Sequence, residues 1–245
     1  MTKPNPADRV AYMAGQGDFR AARVRCTNAC IEYNSTPENA PTTERAAKWL
    51  NIVDPDHTSK IDATQAVAIA DAFTTVVVPR PTFPYVKMPF YVDYGLRVYI
   101  SPTTFINRNC FIMDTPVADI RIGERCQIGP NVSIIGVGHS TKFEERNELE
   151  TGVAGSWGAK VVIGDGVWIG ANSTILPGVT VGSYTTIGAG SVVTKDLPSR
   201  CVAVGNPVKI LYMIDEDRPP AKYAQTAMTL EEALMINREP ESPGA

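Results

Sequence analysis

Histidine is nearly missing from this chain: 245 residues contain two, His57 and His139. A metal centre built on three imidazoles cannot be assembled from them, and no metal is expected. The five cysteines, Cys26, Cys30, Cys110, Cys126 and Cys201, are an odd number without paired spacing. That excludes a disulfide framework and points to free, buried thiols in a reducing compartment. Positive charge is not in excess, since 23 Lys and Arg face 26 Asp and Glu for a net charge of −3. No nucleic-acid partner follows from such a balance, and an anionic ligand must find its cations locally. No apolar run is long enough to span a bilayer, and the polar start MTKPNPADRV lacks a signal-peptide pattern. No membrane partner is expected, and the location expected is cytoplasmic.

What the chain does have is a period. Ile163, Ile169, Ile175, Val181, Ile187 and Val193 are spaced by six without slippage, and glycine follows at Gly164, Gly170, Gly182 and Gly188. Upstream, Ile100, Ile106, Ile112 and then Ile122, Ile128, Ile134 obey the same rule. A helix face would return at three or four residues, and simple alternation would mark an isolated strand. Six is a multiple of two, so short strands joined by turns fill each repeat, with every sixth aliphatic side chain pointing inward. This is the mark of a hexapeptide solenoid. The twelve positions, in groups of three, predict about four coils of a three-sided parallel β-prism.

The fold class expected is therefore mainly β, a parallel β-helix of hexapeptide repeats with a helical N-terminal domain and a short C-terminal helix. Residues 1–60 are read as helical. In 20–34 the stripe is Ala21, Val24, Ala29 and Ile31; in TTERAAKWLNIV it is Ala46, Trp49, Leu50 and Val53, with Thr43 as a cap. Residues 61–90 are read as an extended transition, 91–212 as the solenoid, and 213–245 as a tail in which Thr229-Leu-Glu-Glu232 fits a capping box. One large break interrupts the prism: Ile134 and Ile163 lie 29 residues apart. The loop 136–160 must leave the coil there, and long loops in compact repeats are usually functional.

His57, in PDHTSK, reads as a solvated surface residue. His139, in VGHST, sits near the base of the long loop, with Glu144, Glu145, Glu148 and Glu150 close enough in sequence to orient its ring. It is either an exposed loop histidine or a general base.

Three stretches resemble the maltose and galactoside family of sugar O-acetyltransferases. They are MAGQGDFRAARVRCTNACIEYNSTP, MPFYVDYGLRVYISPTTFINRNCFIMD and VVIGDGVWIGANSTILPGVTVGSYTTIGAGSVVTKDLPSRCVAVGNPVKI. The resemblance implies a left-handed coil, a homotrimer with sites between subunits, and acetyl transfer from acetyl-coenzyme A to a hydroxyl of a small acceptor. A hydroxyl is a poor nucleophile at neutral pH and needs a base as it attacks the thioester. His139 matches the family's catalytic histidine. Ala171, after Trp-Ile-Gly, matches the residue whose N–H holds the tetrahedral oxyanion. Trp168, Ala171, Ala189, Thr194, Lys195, Pro207 and Lys209 match positions around coenzyme A, the two lysines supplying charge for its phosphates. Asp93, Tyr94, Asn107 and Thr115, with Asp114 beside them, match the acceptor side.

The departures also fall on the acceptor side. Ser140 stands where the family commonly has proline, Gly155 where it has a pocket glutamate, and Asp18 is the nearest counterpart of its N-terminal aspartate. Serine or a xenobiotic remains an alternative acceptor, and a non-catalytic scaffold is the reading from another class. A prism-type carbonic anhydrase lacks its histidines here, and the first 90 residues are too short for a nucleotidyltransferase domain.

Overall fold

The computed structural model describes residues 5–55, 67–70, 77–80, 83–146, 155–214 and 229–235. Its centre is a three-sided parallel coil. The first face carries Tyr85–Val86, Phe105–Ile106, Gln127–Ile128, Trp168–Ile169, Thr186–Ile187 and Cys201–Val204. The second carries Phe90–Val92, Cys110–Met113, Ser133–Ile135, Thr174–Ile175 and Val192–Val193, and the third Val98–Ile100, Ile120–Ile122, Val161–Ile163 and Thr180–Val181. The chain visits the faces in that order and pairs each strand with its counterparts one coil above and below. Thus Ile128 registers with Ile106 and Ile169, and Ile134 with Ile112 and Ile175.

The coil starts earlier than the isoleucine count predicts. Val86, Val92 and Val98 are also six apart and buried, and they form the first turn of the prism. Ile100, assigned to the inward set, is only partly buried. Ile169, Ile175 and Ile187 are 0% exposed, so the ladder they form carries the core.

The corners explain the remaining repeat residues. At the corner between the first and second faces, Asn109, Asn131, Asn172 and Gly190 have φ of 62°, 58°, 59° and 70°. Asparagine is among the few residues with a side chain that visit this left-handed region readily, hence its recurrence there. Asn131 Nδ2 donates to Asn172 Oδ1 at 3.0 Å, tying one coil to the next. Inside the corners small side chains bond neighbouring turns: Cys110 Sγ donates to Gly129 O at 3.1 Å and Cys126 Sγ to Gly164 O at 3.0 Å. All five cysteines are buried and free.

Helices α1 (Gly17–Asn34) and α2 (Thr42–Val53) close the N-terminal end of the prism. The buried stripe of α1 is Cys26, Ala29, Cys30 and Tyr33, at i, i+3, i+4 and i+7. Val24 and Ile31, expected inside, are exposed. The small thiols lie against the first coil where Val92 O accepts from Cys26 Sγ at 3.3 Å, and that close approach favours them over branched side chains. In α2, Ala46, Trp49 and Leu50 are buried as expected, joined by Ile52. Pro41, not Thr43, is the residue at its N-cap, and it makes no side-chain cap. Trp49 bridges Tyr33 and Phe90, with ring centroids 6.1 and 5.7 Å away. Asn34 seals the junction by pairing with both N and O of Phe90 at 2.9 Å.

Two features depart from a plain coil. Lys209–Met213 folds back antiparallel on Cys201–Val204, and a short helix α3 (Phe143–Arg146) stands in the long loop. Near the start, Val10–Met13 is a strand, not part of a helix. A last helix, α4 (Leu230–Met235), follows the Thr229 capping position.

The inward and outward halves of a strand differ sharply in what they contribute. Ile169→Ala should cost about 2–5 kcal/mol, as a truncation at a sealed core site. Trp168→Ala, one residue away and 55% exposed, should cost less than about 0.5 kcal/mol. Urea denaturation of the two variants separates them, and equal losses would contradict the ladder.

Candidate functional site

Along the corner between the first and second faces runs an open groove of about 460 Å³. Its wall is the outward row Phe105, Gln127, Trp168 and Thr186, and its floor the turns holding Asn107, Gly129, Ala171 and Ala189. The glycines there are forced by stacking. A Cβ on Gly170 would sit 2.5 Å from Ala189 N, and one on Gly129 would sit 2.8 Å from Ala171 N. Successive turns therefore touch through backbone and leave an accessible trough. The N–H of Ala171 donates to no acceptor among the described residues.

The structure thus brings four sequence-predicted residues together: Asn107, Trp168, Ala171 and Ala189. Pro207 and Lys209, both exposed, lie just beyond the last turn of the same edge, where Val192 N donates to Gly205 O and Val208 N to Val192 O. Thr194 and Lys195 follow the second-face strand Val192–Val193 and occupy the next corner, outside the groove.

His139 lies at that next corner. The long loop leaves the second face as the strand Val137–Gly138 and returns as Gly155–Gly158, antiparallel to it. The exposed imidazole directs Nδ1 to Gly155 O at 2.8 Å. A carbonyl only accepts, so Nδ1 carries the proton and Nε2 keeps a free lone pair. Among the described residues the partner of the ring is this backbone carbonyl. Glu145 has other partners: Ser140 Oγ donates to it at 2.5 Å and Lys142 pairs with it at 3.0 Å. The Ser140 bond and then the Lys142 contacts hold its carboxyl below the usual range. His57, Glu148 and Glu150 lie outside the described residues.

Beside His139 a second cleft, about 420 Å³, is lined by Tyr12, Met13, Ser140, Glu145, Ser156 and Trp157 among others. Tyr12 links it to the acceptor-side candidates. Burial and then neighbouring Tyr94 raise the phenol of Tyr12, with Asp93 adding to the effect. Asp93 is half-buried; burial raises its carboxyl and the Arg23 charge opposes that. Tyr94 is buried, and its hydroxyl accepts from Arg23. Thr115 is buried too, accepting from Ala118 N at 3.1 Å. Tyr94 and Thr115, read as acceptor contacts, are thus closed off from a ligand by their burial and line neither cleft, whereas Asp93 and Asn107 retain accessible surface. Asp114 is fully buried and accepts from Tyr94 N at 2.7 Å and Gly95 N at 3.0 Å.

Sequence reading missed Tyr12, Phe105, Gln127 and Trp157. The strand VAYM gives too short a signal to be found, because its partner strand lies more than 140 residues away. Phe105 and Gln127 occupy the position preceding the inward isoleucine in each repeat, the one Trp168 also holds, so the period itself points to them.

A parallel prism of six-residue turns, grooved along one edge and carrying a histidine loop at another, defines the hexapeptide-repeat transferase class. Residues 160–195 match the bacterial transferase hexapeptide (six repeats) family, and residues 119–138 match the hexapeptide repeat of succinyl-transferase. The galactoside O-acetyltransferase of Escherichia coli K12 is 34% identical over 160 residues, which is 65% of this chain and 73% of the relative. A Staphylococcus aureus (strain Mu50) protein designated an acetyltransferase is 35% identical over 187 residues, 76% of this chain and 89% of its own length. A maltose O-acetyltransferase structure from Clostridium difficile 630 superposes with a TM-score of 0.65 at 29% identity, covering 84% of this chain and 93% of that one. A hexapeptide-repeat acetyltransferase of Vibrio cholerae, complexed with acetyl-coenzyme A, gives 0.62 at 25% identity with the same coverage. The chain belongs to the hexapeptide-repeat acetyltransferases that include the galactoside and maltose enzymes, and it is an acetyltransferase.

Burial pushes the Asp114 carboxyl from an ordinary 3.8 up to about 6; the Tyr94 N–H opposes the rise and the Asp93 charge adds to it. Between about pH 4 and 6 the folded state thus holds a proton that the unfolded chain has released. Its contribution is fully present below the unfolded value and is lost as pH rises through 6. Asp114→Asn removes this titration. From pH 4 to pH 6 the melting temperature of the wild type should fall relative to that of the variant, with a constant difference above pH 7. Calorimetry across that range checks it, and a difference that does not change with pH would contradict it.

Proposed function

We propose that this chain transfers acetyl from acetyl-coenzyme A to a hydroxyl of a small acceptor, a sugar or a molecule of similar size, by direct attack. Acetyl-coenzyme A occupies the edge groove, with Trp168 as a flat wall, Ala189 at the pantetheine, and Lys209 and Pro207 toward the phosphates and adenine, while Thr194 and Lys195, at the next corner, reach it only from a neighbouring copy. The acceptor enters the cleft beside His139, near Asp93, and Asn107 meets it from the floor of the groove. The observation that carries this reading is the Nδ1 bond to Gly155 O, which leaves Nε2 of an exposed imidazole free to accept a proton.

In the reaction, Nε2 takes the hydroxyl proton as the oxygen bonds to the thioester carbon. The oxyanion that forms is held by the Ala171 N–H. Its collapse breaks the C–S bond, and the departing thiolate takes the proton back from the imidazolium. Atoms and charge balance without a metal or an acyl-enzyme.

One chain does not put His139 beside Ala171: they stand at different corners, separated by one face of the prism. The strand between the two corners, Ser133–Ile135, alone spans about 10 Å, beyond proton-transfer distance. We therefore read the site as shared between copies in a homotrimer of left-handed coils, the histidine loop of one subunit meeting the groove of the next. The absence, among the described residues, of a helix long and apolar enough to cross a membrane is compatible with action in the cytoplasm.

His139→Ala should lower kcat on the order of a thousandfold and leave acetyl-coenzyme A affinity unchanged by calorimetry. The assay is thiol release with sugars, amino sugars, serine and antibiotics as acceptors. No release with any of these acceptors would contradict the proposed hydroxyl acetylation; retained turnover with lost cofactor binding would remove the base.

The shared site has its own test. His139→Ala and a groove-blocking Ala189→Trp variant are each expected to be inactive. Co-expressed, they should recover part of the activity, because some sites then combine an intact histidine with an intact groove. Sedimentation should give a trimer. A monomer, or no recovery in the mixture, would place the whole site in one chain.

A further inference from the structure

The carbonyl that holds His139 belongs to a strand that is itself held on both sides. On one side the returning strand Gly155–Gly158 pairs with Val137–Gly138, setting Trp157 opposite Gly138. On the other it pairs with the N-terminal strand, Met13 opposite Gly155 and Val10 opposite Gly158. The histidine loop thus has a strap drawn from the start of the chain.

Trp157 is the joint of this small sheet. A Cβ on Gly138 would meet its indole at 2.2 Å (Cζ2) and 2.6 Å (Cη2). The benzo edge therefore fills the space that any other residue at 138 would need, one position before His139. Arg9, which leads into the N-terminal strand, sets its guanidinium carbon 4.1 Å from the indole centroid, within the range of a cation–π contact. On the far side of the same strand, Gly158 is just as closely confined, because a Cβ there would lie 2.5 Å from Thr115 Oγ1. At both positions the neighbouring side chain lies directly against the backbone, so only glycine fits. The Gly155 carbonyl, two residues before Trp157, is thereby kept at hydrogen-bond distance from Nδ1.

We propose that Trp157, under Arg9 and against Gly138, is the positioning residue for His139, and that the N-terminal strand is the element through which it is held. It also lines the cleft beside His139, but in this role it acts on the imidazole, holding it in the Nδ1–H tautomer. For its catalytic consequence the proposal rests on the reading of His139 as the base. Its geometric content does not.

Two histidines in the whole chain make the test direct. Long-range nitrogen–proton NMR spectra resolve both imidazoles, and His139→Ala assigns them. In the wild type His139 should report Nδ1–H. Trp157→Ala should move it toward the Nε2–H form that a free imidazole prefers, and Trp157→Phe should restore it. Arg9→Ala, which leaves the core of the sheet intact, should move it the same way by less. With acetyl-coenzyme A and an accepted hydroxyl, Trp157→Ala should lower kcat about 100-fold at unchanged KM for acetyl-coenzyme A. The double variant with His139→Ala should be no slower than His139→Ala alone, because both changes act through one group. An unaltered tautomer in Trp157→Ala overturns the proposal, and so do losses that multiply in the double variant. Full turnover in His139→Ala together with a shifted tautomer in Trp157→Ala sinks the base reading and leaves the positioning one standing.

Discussion

The inward aliphatic ladder is the constraint on which everything else in this molecule depends. Val86, Ile106, Ile128, Ile169 and Ile187 stack through the first face with almost no exposure. Each buried branched side chain contributes about 1.5–3 kcal/mol, so the coils must keep a common circumference and a common register. That condition dictates the corners. The chain has to turn in the same place on every coil, which selects Asn at the left-handed position and glycine where backbones touch. It also leaves the interior solid, so function is displaced to the edges.

Two edges are used differently. Along one, stacked turns with small residues leave a trough suited to an extended ligand, with backbone N–H groups as its polar lining. At the other, repetition is abandoned, and a loop carries His139 out of the coil. The loop gains stability from pairing with the N-terminal strand, since a two-stranded excursion alone is marginal. The histidine is thereby oriented by a backbone carbonyl rather than a carboxylate. Glu145 instead ties the loop to itself through Ser140 and Lys142.

Periodicity revealed the prism because each repeat satisfies its own neighbours: Ile163 to Val193 needs only the adjacent coil to bury each side chain. The start of the coil was obscured because Val86, Val92 and Val98 alternate with aromatic residues and prolines. The stripe of α1 was misjudged for a related reason. Cys26 and Cys30, read as buried thiols, were left out of the stripe, whereas the first coil takes them as small side chains whose Sγ atoms reach Val92 O. In the groove, Trp168 and Ala171 were legible from their repeat, while Phe105 and Gln127 follow the same rule one and two coils earlier. The N-terminal strand, Tyr12 and Trp157 gave no local signal at all.

By itself the sequence determined the repeating unit, its three-sided closure, the place of the one large loop and the identity of the histidine it carries. Each of these follows from local spacing, since six residues contain both the inward anchor and the turn. Only the tertiary structure decided which nitrogen of His139 is protonated, which residues of α1 are buried, and that Val10–Met13 straps a loop far along the chain. The first rests on a bond 16 residues along the loop and the other two on contacts between segments more than 50 residues apart, and no local pattern encodes a hydrogen bond whose partner is chosen by the way strands come into register.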